Sequence, residues 1–184
     1  MPAEWMFIGE APGREEDRLG RPLVGPSGKL FDRLLDEAKI DRKDAFITNT
    51  VKHRPPDNRP PKAAEMKACQ GWLEMQIVEV QPRVIVTLGK LAAERVARLE
   101  TQKAMKVSMA MEHGKGRMRE LWGMKVLHVV MYHPAATFRS PELWPLLVVD
   151  FRRLRRENGV QLESVEYRLV GPEEGEILMQ GIPA

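Results

Sequence analysis

Among its 184 residues the chain has one cysteine, Cys69. A lone thiol excludes an internal disulfide and leaves a single thiolate for any metal. No apolar run approaches the ~18 residues of a membrane-spanning helix. The N-terminus carries no basic stretch followed by an apolar core, so a secretory leader is not expected. These absences point to the cytoplasm and against a membrane partner. Charge of one sign is scarce as well: 29 Lys and Arg stand against 26 Asp and Glu, a formal net charge of +3. That excess does not by itself mark a nucleic-acid binder. Its distribution is uneven, with bases in 52–62, 113–119 and 152–156 and acids in the tail Glu163–Glu176. A solvated surface explains such runs as well as a polyanionic partner does.

Hydrophobic residues make up 43% of the chain, enough for a globular core. With no internal repeat and no long linker, one domain is expected over residues 1–184, its core in 5–157. The tail 158–184 adds at most a small hairpin around Gly171-Pro172. The organising stretch is Trp5–Ile8, a short apolar run broken by Gly9, Pro12 and Gly13 and followed by Glu15, Glu16 and Asp17. It reads as a buried strand entering a tight loop. Ser27 is a plausible N-cap for a helix to about Lys39, with Leu30, Phe31, Leu34, Leu35 and Ala38 turned inward. Ala45–Asn49 reads as a second strand, and the prolines of 53–61 force a loop. A helix over Lys62–Val80 leads to the clearest buried strand, Arg83–Leu88, and a further helix follows to Leu99. Residues 100–119 show no period and read as loop. Leu121–Met131 suggests a strand or hairpin, and Pro141 opens a last helix through about Glu157. Short apolar strands separated by helices predict a three-layer α/β/α fold with a central, mostly parallel, four-stranded sheet.

Open α/β sheets bind ligands at the C-terminal ends of their strands. Glu10 follows the first strand, Asn49 closes the second and His133 follows the last. A carboxylate, an amide and an imidazole in one crevice suit recognition of a planar polar ring and stabilisation of charge on it. Taken singly each has a plainer role: Glu10 as a loop cap, Asn49 as a turn former, His133 as a structural histidine.

Five segments occur in order: Gly9–Asp17 (GEAPGREED), Gly20–Gly25 (GRPLVG), Ile47–Pro56 (ITNTVKHRPP), Val84–Gly89 (VIVTLG) and Tyr132–Ala136 (YHPAA). They resemble the uracil-DNA glycosylases of family four and the related family X, over about residues 5–157. The resemblance implies hydrolysis of the N-glycosidic bond of uracil in DNA by a monomeric base-excision repair enzyme that flips the nucleotide out. By the same resemblance Glu10 orients water or stabilises the cationic sugar, and His133 donates to a uracil carbonyl. Asn49 pairs with the base, Glu16 lies near its C5 edge, and Ala11 lends backbone contacts. Phe138 fills the gap in the duplex and Arg139 meets phosphate, while Lys52, Arg54, Arg59, Lys115 and Arg117, with His113, line the backbone track.

Two departures carry expectations of their own. Family members hold a four-iron cluster on four cysteines. Here Cys69 matches the last ligand and His53 stands at the third, while the first two would fall before Trp5, where Met1 to Glu4 offer none. One thiolate and one imidazole do not hold a cluster, so no metal is expected. Leu23 replaces the phenylalanine that stacks on uracil, which loses ~0.5–1.5 kcal/mol of aromatic contact. That leaves room for a glycosylase of another deaminated base such as hypoxanthine, or for a DNA-binding module that has lost catalysis. Residues 54–61 contain no histidine, so covalent capture of DNA of the family X kind is not expected.

Overall fold

The computed structural model describes residues 3–101, 103 and 105–157. Strands β1 (Trp5–Gly9), β2 (Ala45–Asn49), β3 (Val84–Leu88), β4 (Gly116–Leu121) and β5 (Met124–Met131) form one sheet in the order β2-β1-β3-β5-β4. The pairs β1/β2, β1/β3 and β3/β5 are parallel, and β4 runs antiparallel to β5. The helices are α1 (Arg14–Leu19), α2 (Pro26–Ala38), α3 (Ala63–Ala68), α4 (Gln70–Val80), α5 (Lys90–Thr101), α6 (Met109–Glu112) and α7 (Leu143–Glu157).

The three layers follow from the two-residue period of the strands. Trp5 and Phe7 of β1 face α2 and α7, where Phe7 meets the edge of Phe31 at 5.0 Å and stacks on Phe151 at 6.2 Å between ring centroids. Met6 and Ile8 point the other way, against Leu73 and Ile77 of α4 and Ala92 and Val96 of α5. A strand buried on both faces must read as an unbroken apolar run, and Trp5–Ile8 does. β1 lies between β2 and β3, so the strand order reverses beside it and opens a crevice at its C-terminal end.

The sheet has five strands where four were expected. Residues 100–119, expected as loop, contain α6 and most of β4. A two-residue turn at Trp122-Gly123, both with positive φ (50° and 79°), folds β4 back on β5. The helix expected over 62–80 is broken at Cys69, whose ψ of −3° separates α3 from α4. The N-cap of α2 is Gly25, with Pro26 in the first turn, so Ser27 is already helical. The six-residue α1 stands where only a loop was expected. The hairpin proposed around Gly171-Pro172 lies outside the described residues. Among those described, no helix is long and apolar enough to cross a membrane.

Candidate active site

The β1/β2 ladder does not stop with the strands. Beyond the Gly9–Asn49 pair, Thr50 N donates to Gly9 O (2.9 Å) and Val51 N to Glu10 O (3.2 Å). Thr50 Oγ1 also donates to Glu10 O at 2.6 Å. These bonds pin the Glu10 backbone beside Asn49. Gly9 lets the two loops close, because a Cβ there would lie 2.5 Å from Asn49 Oδ1. On the other side Gly89, at φ 92°, donates its N–H to Met131 O (2.7 Å) and leaves space for His133, whose Cβ would sit 3.4 Å from an added methyl. Glu10, Asn49 and His133 thereby line one cleft of about 460 Å³, which Ala11, Glu16, Leu23, Arg59 and Arg139 also reach. That size falls within the ~300–1,000 Å³ of small-molecule sites.

The proton of His133 can be placed. Its Nδ1 accepts from Ala135 N at 3.1 Å, so in the neutral ring the hydrogen sits on Nε2. Burial pushes the imidazole down to about 4, with the Glu16 charge opposing. His133 is therefore a neutral Nε2–H donor at physiological pH. Burial pushes the Glu10 carboxyl above its ordinary 4.5. Asn49 is buried, with 6% of its surface exposed.

Glu16 is a strut between two walls of the cleft. Its Oε1 accepts from Val24 N (2.9 Å) and Gly25 N (2.7 Å), and its Oε2 from Gly13 N (3.1 Å). Burial pushes its carboxyl up, but the amides of Gly25, Glu16 itself, Val24 and Gly13 together outweigh that and hold it below 4.5. Leu23, buried at 4% exposure, takes φ 48°, and its carbonyl accepts from Arg42 Nη2 at 2.9 Å. Arg42 gave no sign of this in the sequence, since a base in a polar turn reads as surface.

The basic residues divide into three groups. Arg139 lines the cleft, and Arg59 does so while held by Glu65 (Nη1–Oε2 2.8 Å, Nη2–Oε1 2.6 Å); Arg54 bonds Asn58 Oδ1 at 2.7 Å on the same loop. Lys115 and Arg117 line a separate hollow with Arg119 and His128, so the structure does not bring them to the cleft. His113 is likewise engaged elsewhere, with Nδ1 2.8 Å from Asp150 Oδ2. Lys52 turns inward: its Nζ donates to Gln76 Oε1 (2.6 Å), Asn49 O (2.7 Å) and Thr48 Oγ1 (2.8 Å). Its ammonium ties the end of β2 to α4 and is not displayed as a phosphate contact. Gln76, missed in the sequence because a lone polar residue on a helix carries no signal, receives Thr48 Oγ1 as well (3.0 Å). Phe138, 57% exposed, stands beside Arg139 at the end of the turn that follows His133. It is a surface residue and not part of the core.

Cys69 and His53 are the residues of this sequence that stand at the family's cluster positions. Cys69 Sγ accepts from Lys52 N at 3.4 Å, and His53 is exposed. Among the described residues no three of His, Cys, Asp and Glu gather closely enough to hold a metal ion, where such a cluster takes four ligands.

A profile described as the uracil DNA glycosylase superfamily matches residues 2–153. The chain is 41% identical over 154 residues to a type-4 uracil-DNA glycosylase of Saccharolobus solfataricus, covering 83% of this chain and 70% of that protein. It is 40% identical over 154 residues to the type-4 uracil-DNA glycosylase of Archaeoglobus fulgidus, covering 83% and 75%. Similarity to that of Thermotoga maritima is 39% over 152 residues, covering 82% and 75%.

Proposed function

The chain belongs to the uracil-DNA glycosylase superfamily, and from that premise we propose that it hydrolyses the N-glycosidic bond of uracil in DNA, with the cleft at the ends of β1, β2 and β5 as its active site. The observation that carries this reading is the meeting of Glu10, Asn49 and His133 in one hollow. Three residues spread over more than a hundred positions of the chain are brought together by strand ends, as a site for one base requires.

The target nucleotide leaves the stack and its uracil enters the cleft. The Asn49 carboxamide, with one donor and one acceptor edge, pairs with the base's N3–H and O4. As the C1′–N1 bond breaks, its electron pair leaves with the base and the sugar becomes an oxocarbenium ion. His133 Nε2–H donates to uracil O2, where the negative charge gathers, and the Glu10 carboxylate faces the cationic sugar and the incoming water. Water adds to C1′ and passes one proton to the Glu10 carboxylate, which returns it to solvent, while the uracil anion takes up one proton; the products are free uracil and an abasic site. Both groups stabilise charge that exists only in the transition state, which is where such contacts raise kcat. Phe138 supplies an apolar wedge for the emptied stack, and Arg139 a phosphate contact.

All of these groups come from one chain, which acts as a monomer in the cytoplasm. The reaction as proposed runs on side chains of the cleft alone and routes no step through an iron–sulfur cluster. The test is release of uracil from single- and double-stranded oligonucleotides, run beside hypoxanthine-containing ones and an iron assay of the same protein. Uracil release without iron is expected. A folded protein that binds DNA yet frees no uracil overturns the reading, and about four irons per chain overturns its cluster-free form.

Lys52 provides a check on how the site is held. Lys52→Met removes the ammonium that joins Asn49 O to Gln76 and leaves the base-pairing amide free to shift. A displacement of about 1 Å costs on the order of 100-fold in rate. We expect kcat/KM to fall about 10- to 100-fold, with weaker inhibition by free uracil and an unchanged salt dependence of DNA binding. A reduced salt slope with unaltered uracil inhibition assigns Lys52 to phosphate instead.

A further inference from the structure

Away from the catalytic cleft a second hollow of about 510 Å³ opens between α3–α4 and α5, with Met66 and Lys67 on one wall, Gln70 beside them, and Leu91, Arg95 and Arg98 opposite. Arg95 is its unusual member. Its side chain is 9% exposed, and its Nη2 is buried with no hydrogen-bond partner. The carboxylate near it, Glu74, stands 4.0 Å away with the same Oε1 already accepting from Gln70 Nε2 at 2.6 Å. Glu94, also on the wall, accepts from Val107 N (3.0 Å) and lies 3.9 Å from Lys90. Burial pushes the Arg95 guanidinium below its ordinary range; Glu74 opposes this and the nearby charge of Arg98 adds to it. A buried guanidinium with an unused donor and a second cation beside it is destabilising unless something anionic completes it.

We propose that this hollow is an anion site that takes a phosphate group, with Arg95 as its inner donor and Arg98 and Lys67 at its rim. A guanidinium fork matches two phosphate oxygens, and three cations with the Gln70 amide suit a multiply charged tetrahedral group better than a single carboxylate. Met66 and Leu91 give apolar walls, and the volume exceeds that of a bare ion, so the group arrives as an ester. Two sources share that chemistry. One is the DNA backbone, since α3 follows directly on the loop whose Arg59 and Pro60 wall the catalytic cleft. The other is a free phosphate ester. The proposal does not rest on uracil excision.

Thermal denaturation of the full chain in phosphate-free buffer tests it, with inorganic phosphate and pyrophosphate as probes and chloride at matched ionic strength as control. Both probes are expected to raise the Tm of the wild type progressively, as a ligand of the folded state must. Arg95→Met, which keeps the stem and removes the unused donor, is expected to be at least as stable as wild type without phosphate and to lose the response. A variant that is less stable than wild type, with the phosphate response intact, assigns Arg95 a structural role and overturns the site. Arg98→Gln, at an exposed position, guards against misfolding: it must weaken the response several-fold, and an unchanged response also overturns the site. A wild type indifferent to both probes does the same. The source is read from DNA affinity against salt. A slope on single-stranded DNA lower by about 0.7 per lost contact in the variant combining Arg95→Met with Arg98→Gln assigns the site to the strand, and an unchanged slope assigns it to a free ester. Excision at saturating short substrate is expected to be unaltered in every variant, so failure here is distinguishable from failure of the catalytic reading.

Discussion

Replacing His133 by alanine is expected to lower kcat for uracil release by about 10²–10³-fold while KM changes little, the cost of removing one preorganised donor from a developing oxyanion. The ring is committed to this task before substrate arrives. Ala135 N occupies Nδ1 at 3.1 Å and fixes the tautomer. Burial holds the imidazole at about 4, so it stays neutral. A neutral donor matched to a base that departs as an anion gains strength as charge builds, whereas a cation would already bind the ground state tightly. Measuring single-turnover rates beside KM separates the two. A raised KM with an unchanged single-turnover rate would mean that His133 binds substrate without favouring the transition state.

Glu10→Gln is expected to reduce kcat by a similar factor, since an amide can neither take a proton from water nor offset a cationic sugar. The pH profile distinguishes Glu10 from His133. Burial raises the Glu10 carboxyl, so its charged form is present above that raised value and disappears as pH falls through it, giving an acid limb above 4.5. His133 titrates lower, at about 4, and protonation there does not remove its Nε2–H. The limb therefore belongs to Glu10, and His133→Ala should keep it at the same pH while losing rate. A limb that moves with His133→Ala would reverse the assignment.

The parts of the fold legible in the sequence are those whose burial is uniform. Trp5–Ile8 and Val84–Leu88 are covered on both faces, so every side chain but the hydrogen-bonded Thr87 is apolar and the strands read plainly. β4 is not legible, because Gly116–Leu121 is an edge strand with four charged or glycine positions and little burial. It exists because β5 offers a partner and Trp122-Gly123 a tight turn. α1 is similar: five charged residues and Leu19 show no helical stripe, and what holds them is Glu16 reaching Val24 and Gly25, eight and nine positions on. The site was legible in its strand-end residues, since a loop after a parallel strand must open on the crevice. The direction of Lys52 was not, because a lysine in a basic run reads as surface until Thr48, Asn49 and Gln76 present three oxygens to it.

Glu16→Ala is expected to destabilise the protein by roughly 3 kcal/mol, because it leaves three backbone amides of a half-closed loop without their charged acceptor. For a chain of this size that corresponds to a Tm lower by roughly 6–12 °C. The surrounding glycines show how closely the carboxylate is held: a Cβ at Gly13 would lie 2.7 Å from Oε2 and one at Gly25 3.0 Å from Oε1. Glu16→Gln should cost less, since its remaining oxygen keeps some of the amides while its NH2 opposes others. The sign with pH follows from the direction of the shift. The folded carboxyl lies below its ordinary 4.5, so its contribution is complete above that value and is lost as pH falls through the lower, folded one. Urea midpoints of wild type and Glu16→Gln should therefore be well separated at neutral pH and converge in acid. A gap that persists in acid would show that Glu16 acts by shape and not by charge. Because Val24 and Gly25 directly follow Leu23, the wall of the base cleft, the same variants should also lose uracil excision faster than they lose stability.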